Sequence, residues 1–240
     1  MTATTLMRAS YRDIPLYSTP RERCAVDLSD NTNLWGAAPS ALRELRATPE
    51  ESVTRYPSAY EPALREALAT YAGVSPDMIV AGCGSDDVLD SAIRAFGEPG
   101  ESLCLPAPSF SMIPVFARVS GLTPVEVPLT AQLDADVPAM LATGARITYL
   151  CSPNNPTGAA LSRETVEQIV RRAPGLVIID QAYSEFGGES FTDLVSADRP
   201  VLVTRTLSKA FGLAGLRIGY GIGSPDVVGE IMKARGPYKV

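Results

Sequence analysis

The sequence predicts an α/β fold in which helices cover both faces of a mostly parallel sheet, giving three α/β/α layers. Short continuous apolar runs recur along the chain, helical patterns separate several of them, and turn or polar residues follow them. Continuous apolar strands between helices are typical of parallel sheets that are buried on both faces. The predicted strands are residues 78–80, 102–105, 123–127, 146–150, 176–180 and 201–203.

The first predicted helix begins near Pro62, a residue that suits a first helical turn, and ends at Gly73. Its buried stripe consists of Leu64, Leu68 and Tyr71. A second helix follows Gly82 and Gly84, and further helical patterns cover residues 110–120 and 163–172. The apolar stripe of the second helix is Val88, Leu89, Ala92, Ile93 and Phe96.

The turn before the second helix has two interpretations. A strand, a glycine-containing turn and a helix N-terminus present free backbone amides that favour an anion. Ser85, Asp86 and Asp87 also make an ordinary helix cap and acidic first turn. Both interpretations stay open from this stretch alone.

Composition restricts the classes of function. The 240 residues are 45% hydrophobic and 20% charged, which is typical of a globular protein. The net charge of -6 argues against a nucleic-acid surface. Because no apolar run is long enough to span a bilayer and the N-terminus lacks a signal-peptide core, we expect a cytoplasmic protein without a membrane partner.

The chain contains no histidine and four scattered cysteines, at positions 24, 83, 104 and 151. We therefore expect no metal site. The absence of histidine also removes the Ser–His and Cys–His nucleophile arrangements. Catalysis in such a chain must use lysine, carboxylates, tyrosine or a cofactor.

Lys209 is one of only three lysines among 21 lysine and arginine residues, and the other two lie near the C-terminus. It follows the predicted buried strand 201–203. A lysine can lose its proton when it is desolvated and can then attack a carbonyl carbon, which arginine cannot do. An exposed loop lysine is the alternative, and the surrounding residues decide between the two.

Ligands of parallel α/β sheets bind at the carboxyl ends of the strands. Asp180 ends an apolar run there, and a buried carboxylate needs a cationic or hydrogen-bonding partner. Loop amides would satisfy it in a structural role, and a protonated heterocyclic nitrogen would satisfy it in a functional one. Asn155 and Tyr183 follow neighbouring strand ends and suit a phenolic oxygen.

The remaining polar groups at the strand ends suit a ring and an anion. Phe110 would stack on a flat ring. Arg217, Ser208 and the backbone amides of Asp86 and Asp87 would hold a phosphate dianion. With an amine supplied by the isolated lysine, these groups suit pyridoxal phosphate in Schiff-base linkage.

Three stretches carry a resemblance to a known family: CSPNNPTG (151–158), IDQAYSEF (179–186) and TLSKAFGLAGLRIGY (206–220). Together they resemble the fold-type I pyridoxal-phosphate aminotransferases, and most closely the histidinol-phosphate aminotransferase group. RYP (55–57) and GCGSDD (82–87) fall where that group has similar patterns. The resemblance runs from about Tyr17 to the end of the chain.

The resemblance implies a role for each matched residue. Lys209 would form the Schiff base and move the proton, Asp180 would pair with the pyridinium nitrogen, and Tyr183 would bind the ring oxygen; these are the implied catalytic residues. Tyr56 would reach the cofactor of a partner subunit, which implies a homodimer. The implied cofactor-binding residues are Asp86, Asp87, Phe110, Asn155, Asp180, Tyr183, Thr206, Ser208, Lys209, Arg217 and Tyr56, and the implied substrate-facing residues are Tyr17 and Asn33.

The sequence departs from the family pattern at Thr32, Leu34, Cys83 and Lys239, which stand where the family has an acidic residue, proline, asparagine and asparagine. We expect an N-terminal arm over residues 1–36 and a cofactor-binding large domain over 37–240. The family's C-terminal small domain, with its substrate-binding arginine, is expected to be absent.

The expected reaction transfers an amino group between an amino acid or amino alcohol phosphate, similar to histidinol phosphate, and a 2-oxo acid. Two alternatives stay open from the sequence. One is a pyridoxal-phosphate decarboxylase of the same superfamily, because the substrate contacts decide which bond at the α-carbon breaks. The other is a cofactor-binding fragment with little turnover.

Overall fold

The computed structural model describes residues 23–239 and six earlier positions, which are Leu6, Arg8, Tyr11, Arg12, Ile14 and Leu16. The prediction for Tyr17 therefore lies outside the described residues, as do sixteen of the 36 residues of the predicted arm. Within the described chain, residues 23–54 include no buried residue.

Seven strands form one sheet in the order β1-β7-β6-β5-β4-β2-β3. Five of them run parallel, and β7 is antiparallel to both of its neighbours, β1 and β6. The strands are β1 (Ile79–Cys83), β2 (Ser102–Ala107), β3 (Thr123–Pro128), β4 (Ile147–Cys151), β5 (Leu176–Asp180), β6 (Val201–Thr206) and β7 (Ile218–Gly223). The prediction of an α/β fold with a mostly parallel sheet is confirmed.

Eight α-helices lie in the described part of the chain. They are α1 (Pro39–Arg46), α2 (Glu50–Thr54), α3 (Pro62–Ala72), α4 (Gly84–Phe96), α5 (Met112–Val119), α6 (Val137–Ala142), α7 (Arg163–Arg172) and α8 (Pro225–Ala234). The predicted helices at Pro62, after Gly84 and over 163–172 correspond to α3, α4 and α7. None of the helices in this part of the chain has both the length and the hydropathy that a bilayer-spanning segment requires.

The sheet separates two hydrophobic cores. One contains buried residues of α4, α5 and α8, and the other contains buried residues of α3, α6 and α7. Strand β5 shows the alternation that a buried parallel strand imposes, because Ile178 belongs to the first core and its neighbours Val177 and Ile179 to the second. These two cores are the physical basis of the three layers.

Strand β7 and helix α8 were not predicted, and the strand sequence IGYGIG carries three glycines, a residue that is depleted in strands. The glycines are needed where α4 packs on the sheet. A Cβ on Gly219 would overlap the backbone of Ser85, and one on Gly221 would lie 3.0 Å from a methyl group of Val88. Tyr220 and Ile222 point to the opposite core, so the strand alternates as a buried strand should.

The predicted glycine turn between β1 and α4 is wrong in one respect. Strand β1 continues through Gly82 to Cys83, where it pairs with Ile218 of β7, and α4 begins at Gly84 without an intervening loop. Gly84 makes this abrupt change of direction with a left-handed φ of 78°. The N-terminus of α4 therefore lies directly at the end of β1.

Candidate active site

A pocket of about 680 Å³ opens at the carboxyl ends of β4, β5 and β6, next to the N-terminus of α4. Of the thirteen residues predicted for the site, nine line this pocket. They are Asp86, Phe110, Asn155, Asp180, Tyr183, Thr206, Ser208, Lys209 and Arg217. Parallel strands end at one edge of the sheet, so polar residues far apart in the chain meet there.

Asp180 lies at the floor of the pocket with both carboxylate oxygens bonded. Oδ2 accepts the phenol hydroxyl of Tyr149 at 2.9 Å, and Oδ1 accepts the hydroxyl of Thr204 at 3.0 Å and the amide of Ala182 at 3.1 Å. These donors are neutral, and no lysine or arginine of the described chain forms an ion pair with Asp180. Burial raises the pKa of Asp180 to about 6, although the three hydrogen bonds oppose this shift.

At the other end of the pocket, several donors converge on one small volume. Gly84 donates its amide to the carbonyl of Arg217 at 2.8 Å, which places the guanidinium of Arg217 beside the first turn of α4. Thr206 and Ser208 are buried, and their hydroxyls lie 3.0 Å apart. Free amides, hydroxyls and a guanidinium suit an anion with several oxygens.

Asp86 puts a carboxylate among these donors. Its Oδ2 lies 3.8 Å from Nη2 of Arg217, and both side chains are close to half exposed. Burial raises the pKa of Asp86, while the charges of Arg217 and Lys209 oppose that shift. Its backbone amide suits an anion, and its side chain must turn away from one.

Lys209 reaches into the pocket from the turn after β6. Its Nζ donates to the carbonyl oxygen of Asp30 at 2.7 Å and lies 5.7 Å from the ring centre of Tyr183. Burial lowers the pKa of Lys209, and the nearby charge of Arg217 lowers it further, against the opposing carboxylate of Asp86. A larger fraction of the amine is therefore neutral than in an exposed lysine.

The 29–32 segment closes the side of the pocket above this lysine. Asn31 donates its side-chain amide to the hydroxyl of Tyr183 at 2.9 Å, and both Asp30 and Asn31 adopt left-handed backbone conformations. Burial raises the pKa of Tyr183, so it remains a phenol that is able to donate a hydrogen bond. The sequence alone did not assign Asn31 to the site.

Three of the other four predicted residues lie outside the pocket. Tyr56 is 86% exposed and packs on the ring of Tyr238 at 5.2 Å, and Asn33 donates to the carbonyl of Ala210. Asp87 accepts the amide of Cys83 at 3.0 Å and the amine of Lys239 at 2.9 Å, so its side chain closes the start of α4. The fourth, Tyr17, is outside the described residues.

Sequence reasoning also missed Tyr149 and Thr204, the two hydroxyl donors to Asp180. A signal for Thr204 was present, because it is the register partner of Asp180 in the parallel pair of β5 and β6. Tyr149 pairs with Ile178 instead and reaches Asp180 diagonally. That contact depends on the side-chain direction, which a strand pattern does not contain.

Residues 24–240 match the model of a family described as aminotransferase class I and II. The chain belongs to this family. The prediction of an aminotransferase family is thus confirmed.

Among its relatives in the aminotransferase family, histidinol-phosphate aminotransferases are prominent. The chain is 40% identical to that of Roseiflexus castenholzii over 228 residues, which cover 92% of this chain and 61% of that protein. It is 39% identical to that of Ruegeria pomeroyi over 222 residues, which cover 90% of this chain and 61% of that protein. The chain therefore spans about three fifths of the length of these relatives.

Two solved structures of the family share this architecture. Histidinol-phosphate aminotransferase from Sinorhizobium meliloti, in complex with pyridoxal-5'-phosphate, matches with a TM-score of 0.81 and 28% identity over 87% of this chain and 59% of that one. Aspartate aminotransferase from Thermus thermophilus with maleate matches with a TM-score of 0.79 and 25% identity, over 86% of this chain and 58% of that one. A histidinol-phosphate aminotransferase and an aspartate aminotransferase thus share the fold of this chain.

Proposed function

We propose that this chain is the cofactor-binding part of a pyridoxal-phosphate aminotransferase. Its amino donor would be an amino acid or an amino alcohol phosphate similar to histidinol phosphate, and its acceptor a 2-oxo acid. The observation that carries the proposal is Asp180, a carboxylate that is buried at the floor of a pocket and bonded only to neutral donors within the described chain. A ligand with a cationic ring nitrogen would complete this site.

The donor set of the pocket fits pyridoxal phosphate at both ends. Asp180 suits the ring nitrogen, and the cluster of Arg217, Ser208, Thr206 and the backbone amide of Asp86 suits the phosphate. A volume of about 680 Å³ also lies within the range of small-molecule sites. The carboxylate of Asp86 opposes a phosphate, so only its amide is assigned to the cofactor.

Bound pyridoxal phosphate supplies an electron sink that stabilises negative charge at the substrate's α-carbon. Lys209 would hold the cofactor covalently, and its Nζ would take the proton from the α-carbon and return it. The lowered pKa of Lys209 favours the neutral amine that both tasks need. Asp180 would keep the ring nitrogen protonated through its negative charge.

The other side chains would orient the ring. Tyr183 and Asn155 line the pocket between its two ends and would bind the ring oxygen, and Phe110 would stack on the ring. Asn31 supports the assignment of Tyr183, because its hydrogen bond holds the phenol over the pocket. These residues would fix the plane of the ring, and the substrate contacts would then decide which bond of the α-carbon is aligned for cleavage.

The proposed assembly is a homodimer in which Tyr56 reaches the site of the partner subunit. This tyrosine is 86% exposed and does not line the pocket of its own chain, which supports a role outside that pocket.

The proposed location is the cytoplasm. The four cysteines are free thiols, as is usual in a reducing compartment. Asn33 and Tyr17 remain proposed substrate-facing positions.

The visible absorption spectrum of the chain with pyridoxal phosphate tests the proposal. We expect a Schiff-base band in the wild type that is lost in Lys209→Ala, because the amine that holds the cofactor is removed. Lys233→Ala is the matched control, since Lys233 is an exposed residue of α8 that pairs with Glu230. A band that survives in Lys209→Ala would refute the assignment of this lysine.

Amino transfer is tested by adding amino donors one at a time to the loaded protein. We expect the band to convert to the pyridoxamine form with a productive donor, and a 2-oxo acid to restore it. Release of carbon dioxide from the donor would instead indicate decarboxylation. A band that no donor converts would identify a binding fragment without turnover.

A further inference from the structure

Asp180, at the end of β5, accepts hydrogen bonds from side chains of the two neighbouring strands, β4 and β6. Tyr149 on β4 and Thr204 on β6 each contribute a hydroxyl, and both residues are wholly buried. The donors approach different oxygens, because Tyr149 bonds Oδ2 and Thr204 bonds Oδ1. A carboxylate bonded through both oxygens cannot rotate freely about its Cβ–Cγ bond.

The hydrogen-bond count distinguishes the two oxygens. Oδ1 accepts two bonds, from Thr204 and from the amide of Ala182, and Oδ2 accepts one, from Tyr149. An ionised carboxylate offers about four acceptor positions, roughly two on each oxygen. Within the described chain the unused position therefore belongs to Oδ2, and Asp180 lines the pocket.

The chemistry of the two donors matters as much as their direction. A hydroxyl stabilises the carboxylate by hydrogen bonding and leaves its charge uncompensated, whereas a lysine or arginine would neutralise it. The other titratable groups around Asp180 are Cys151 of β4, Asp86 of α4, and Tyr183 and Lys209 of the neighbouring loops. Of these only Lys209 is a cation, and it forms no ion pair with Asp180.

We propose that Tyr149 and Thr204 are positioning residues, which keep Asp180 ionised and direct its Oδ2 at a protonated ring nitrogen in the pocket. The ligand half of this inference rests on the proposed function. The other half concerns only the chain itself, because both hydroxyls bond Asp180 whether or not a ligand is bound. The two halves can therefore be tested separately.

The first test follows the ionisation of Asp180 in the full chain, freed of cofactor, by carbon-13 NMR of aspartate carboxyl groups. The signal of Asp180 is the one that Asp180→Asn removes. We expect Tyr149→Phe to raise the titration midpoint by about one pH unit or more, because a hydrogen bond to a charged group is lost. An unchanged midpoint in Tyr149→Phe would overturn the role of this tyrosine.

Three further variants keep the test independent of folding defects. Tyr220→Phe is the matched control, since Tyr220 is also buried, lies in the opposite core and makes no hydrogen bond to Asp180. We expect it to leave the midpoint unchanged. Thr204→Val should raise the midpoint and Thr204→Ser should restore it, because serine keeps the hydroxyl. Equal midpoints in the two variants would overturn the role of Thr204.

The second test adds pyridoxal phosphate to the same samples. We expect the midpoint of Asp180 to fall in the wild type and to fall less in Tyr149→Phe, whose carboxylate is less well directed. A midpoint that does not respond in the wild type would refute the proposed ligand, while the cofactor-free titrations would still decide the role of the hydroxyls. An equal fall in both proteins would overturn the claim that Tyr149 directs Oδ2.

Discussion

At the scale of single residues, burial shifts the pKa values of Asp180 and Lys209, the two groups on which the proposed chemistry depends. Burial raises the pKa of the carboxyl group to about 6 and lowers the pKa of the amine. Both shifts favour the neutral form, since desolvation penalises charge. For the lysine this aids nucleophilic attack. For the aspartate the raised pKa opposes the proposed role, which needs the ionised carboxylate. The hydrogen bonds from the hydroxyls of Tyr149 and Thr204 lower the pKa and so favour the ionised form.

Asp180 should make the cofactor-free chain less stable as the pH rises. Below its usual pKa of 3.8 the carboxyl is protonated in both the folded and unfolded states. Between pH 3.8 and about 6 the folded state binds more protons, so stability falls across this window and levels off above it. The shift corresponds to roughly 3 kcal/mol as an upper bound.

Urea unfolding of the wild type and of Asp180→Asn across pH 4 to 7 measures this contribution. We expect the difference in unfolding free energy to change with pH in that window, in favour of the variant as the pH rises. Asp193→Asn provides a contrast, because Arg163 lowers the pKa of Asp193 from its usual 3.8, and the stabilisation it contributes is lost only below that pH, outside this window. A pH-independent difference for Asp180→Asn would contradict the assigned pKa shift.

At the scale of elements, the anion end of the pocket depends on how closely α4 approaches β7. Gly84 begins the helix with a left-handed backbone and donates its amide to the carbonyl of Arg217. Gly219 and Gly221 remove side chains from the face of β7 on which α4 packs. The N-terminus of α4 lies next to Arg217 because these three glycines have no side chain that would keep the helix and the strand apart.

Gly84→Ala should therefore damage both stability and the anion end. A Cβ there would lie 2.5 Å from Nη2 of Arg217, on a residue with a φ of 78°. We expect a loss of about 1–3 kcal/mol in unfolding free energy, from the strained backbone and the displaced guanidinium. Weaker binding of pyridoxal phosphate should accompany it, measured by titration of the absorption band.

Gly229→Ala is the matched control for this substitution. Gly229 lies inside α8, and a Cβ at that position would meet nothing within 4 Å. We expect a gain of up to about 1 kcal/mol there, since alanine is the better helix former. Equal unfolding free energies in the two alanine variants would show that the close approach of α4 and Arg217 does not contribute to stability.

At the scale of the whole molecule, a buried ion pair joins the residue before α3 to the residue after α8. Arg235 and Glu61 are 174 positions apart, and their charged groups lie 3.3 Å apart with side chains only 1% and 5% exposed. The backbone amide of Lys239 also donates to Glu61, and Tyr238 packs on Tyr56. The segment after α8 is thereby held against the segment that carries Tyr56.

Glu61→Gln should destabilise the chain strongly, because the variant leaves the charge of Arg235 buried without its partner. Removing one member of a buried pair costs about 3–5 kcal/mol, which urea unfolding would detect. Glu230→Gln removes a partner from the exposed pair with Lys233 and should change stability by less than about 1 kcal/mol. Similar values for the two variants would show that burial of the first pair contributes nothing.

The sequence predicted the layers of the fold well because each strand and helix is a local pattern. The apolar runs at 146–150 and 176–180 correspond to β4 and β5 within one residue. It failed at β7, where the local signal of glycine is that of a loop and the true reason for glycine is the packing of α4. It also did not show that the side chain of Asp87, whose backbone amide is predicted to bind the phosphate, bonds Cys83 and Lys239.

By itself, the sequence determined the α/β class, the aminotransferase family and the positions of the polar residues at strand ends, because these depend on contiguous stretches of residues. Only the tertiary structure decided that Asn31 bonds Tyr183, that Asp30 receives Lys209, and that Tyr149 and Thr204 hold Asp180. Those contacts join residues that are 24 to 179 positions apart. They depend on strand register and side-chain direction, which no local pattern contains.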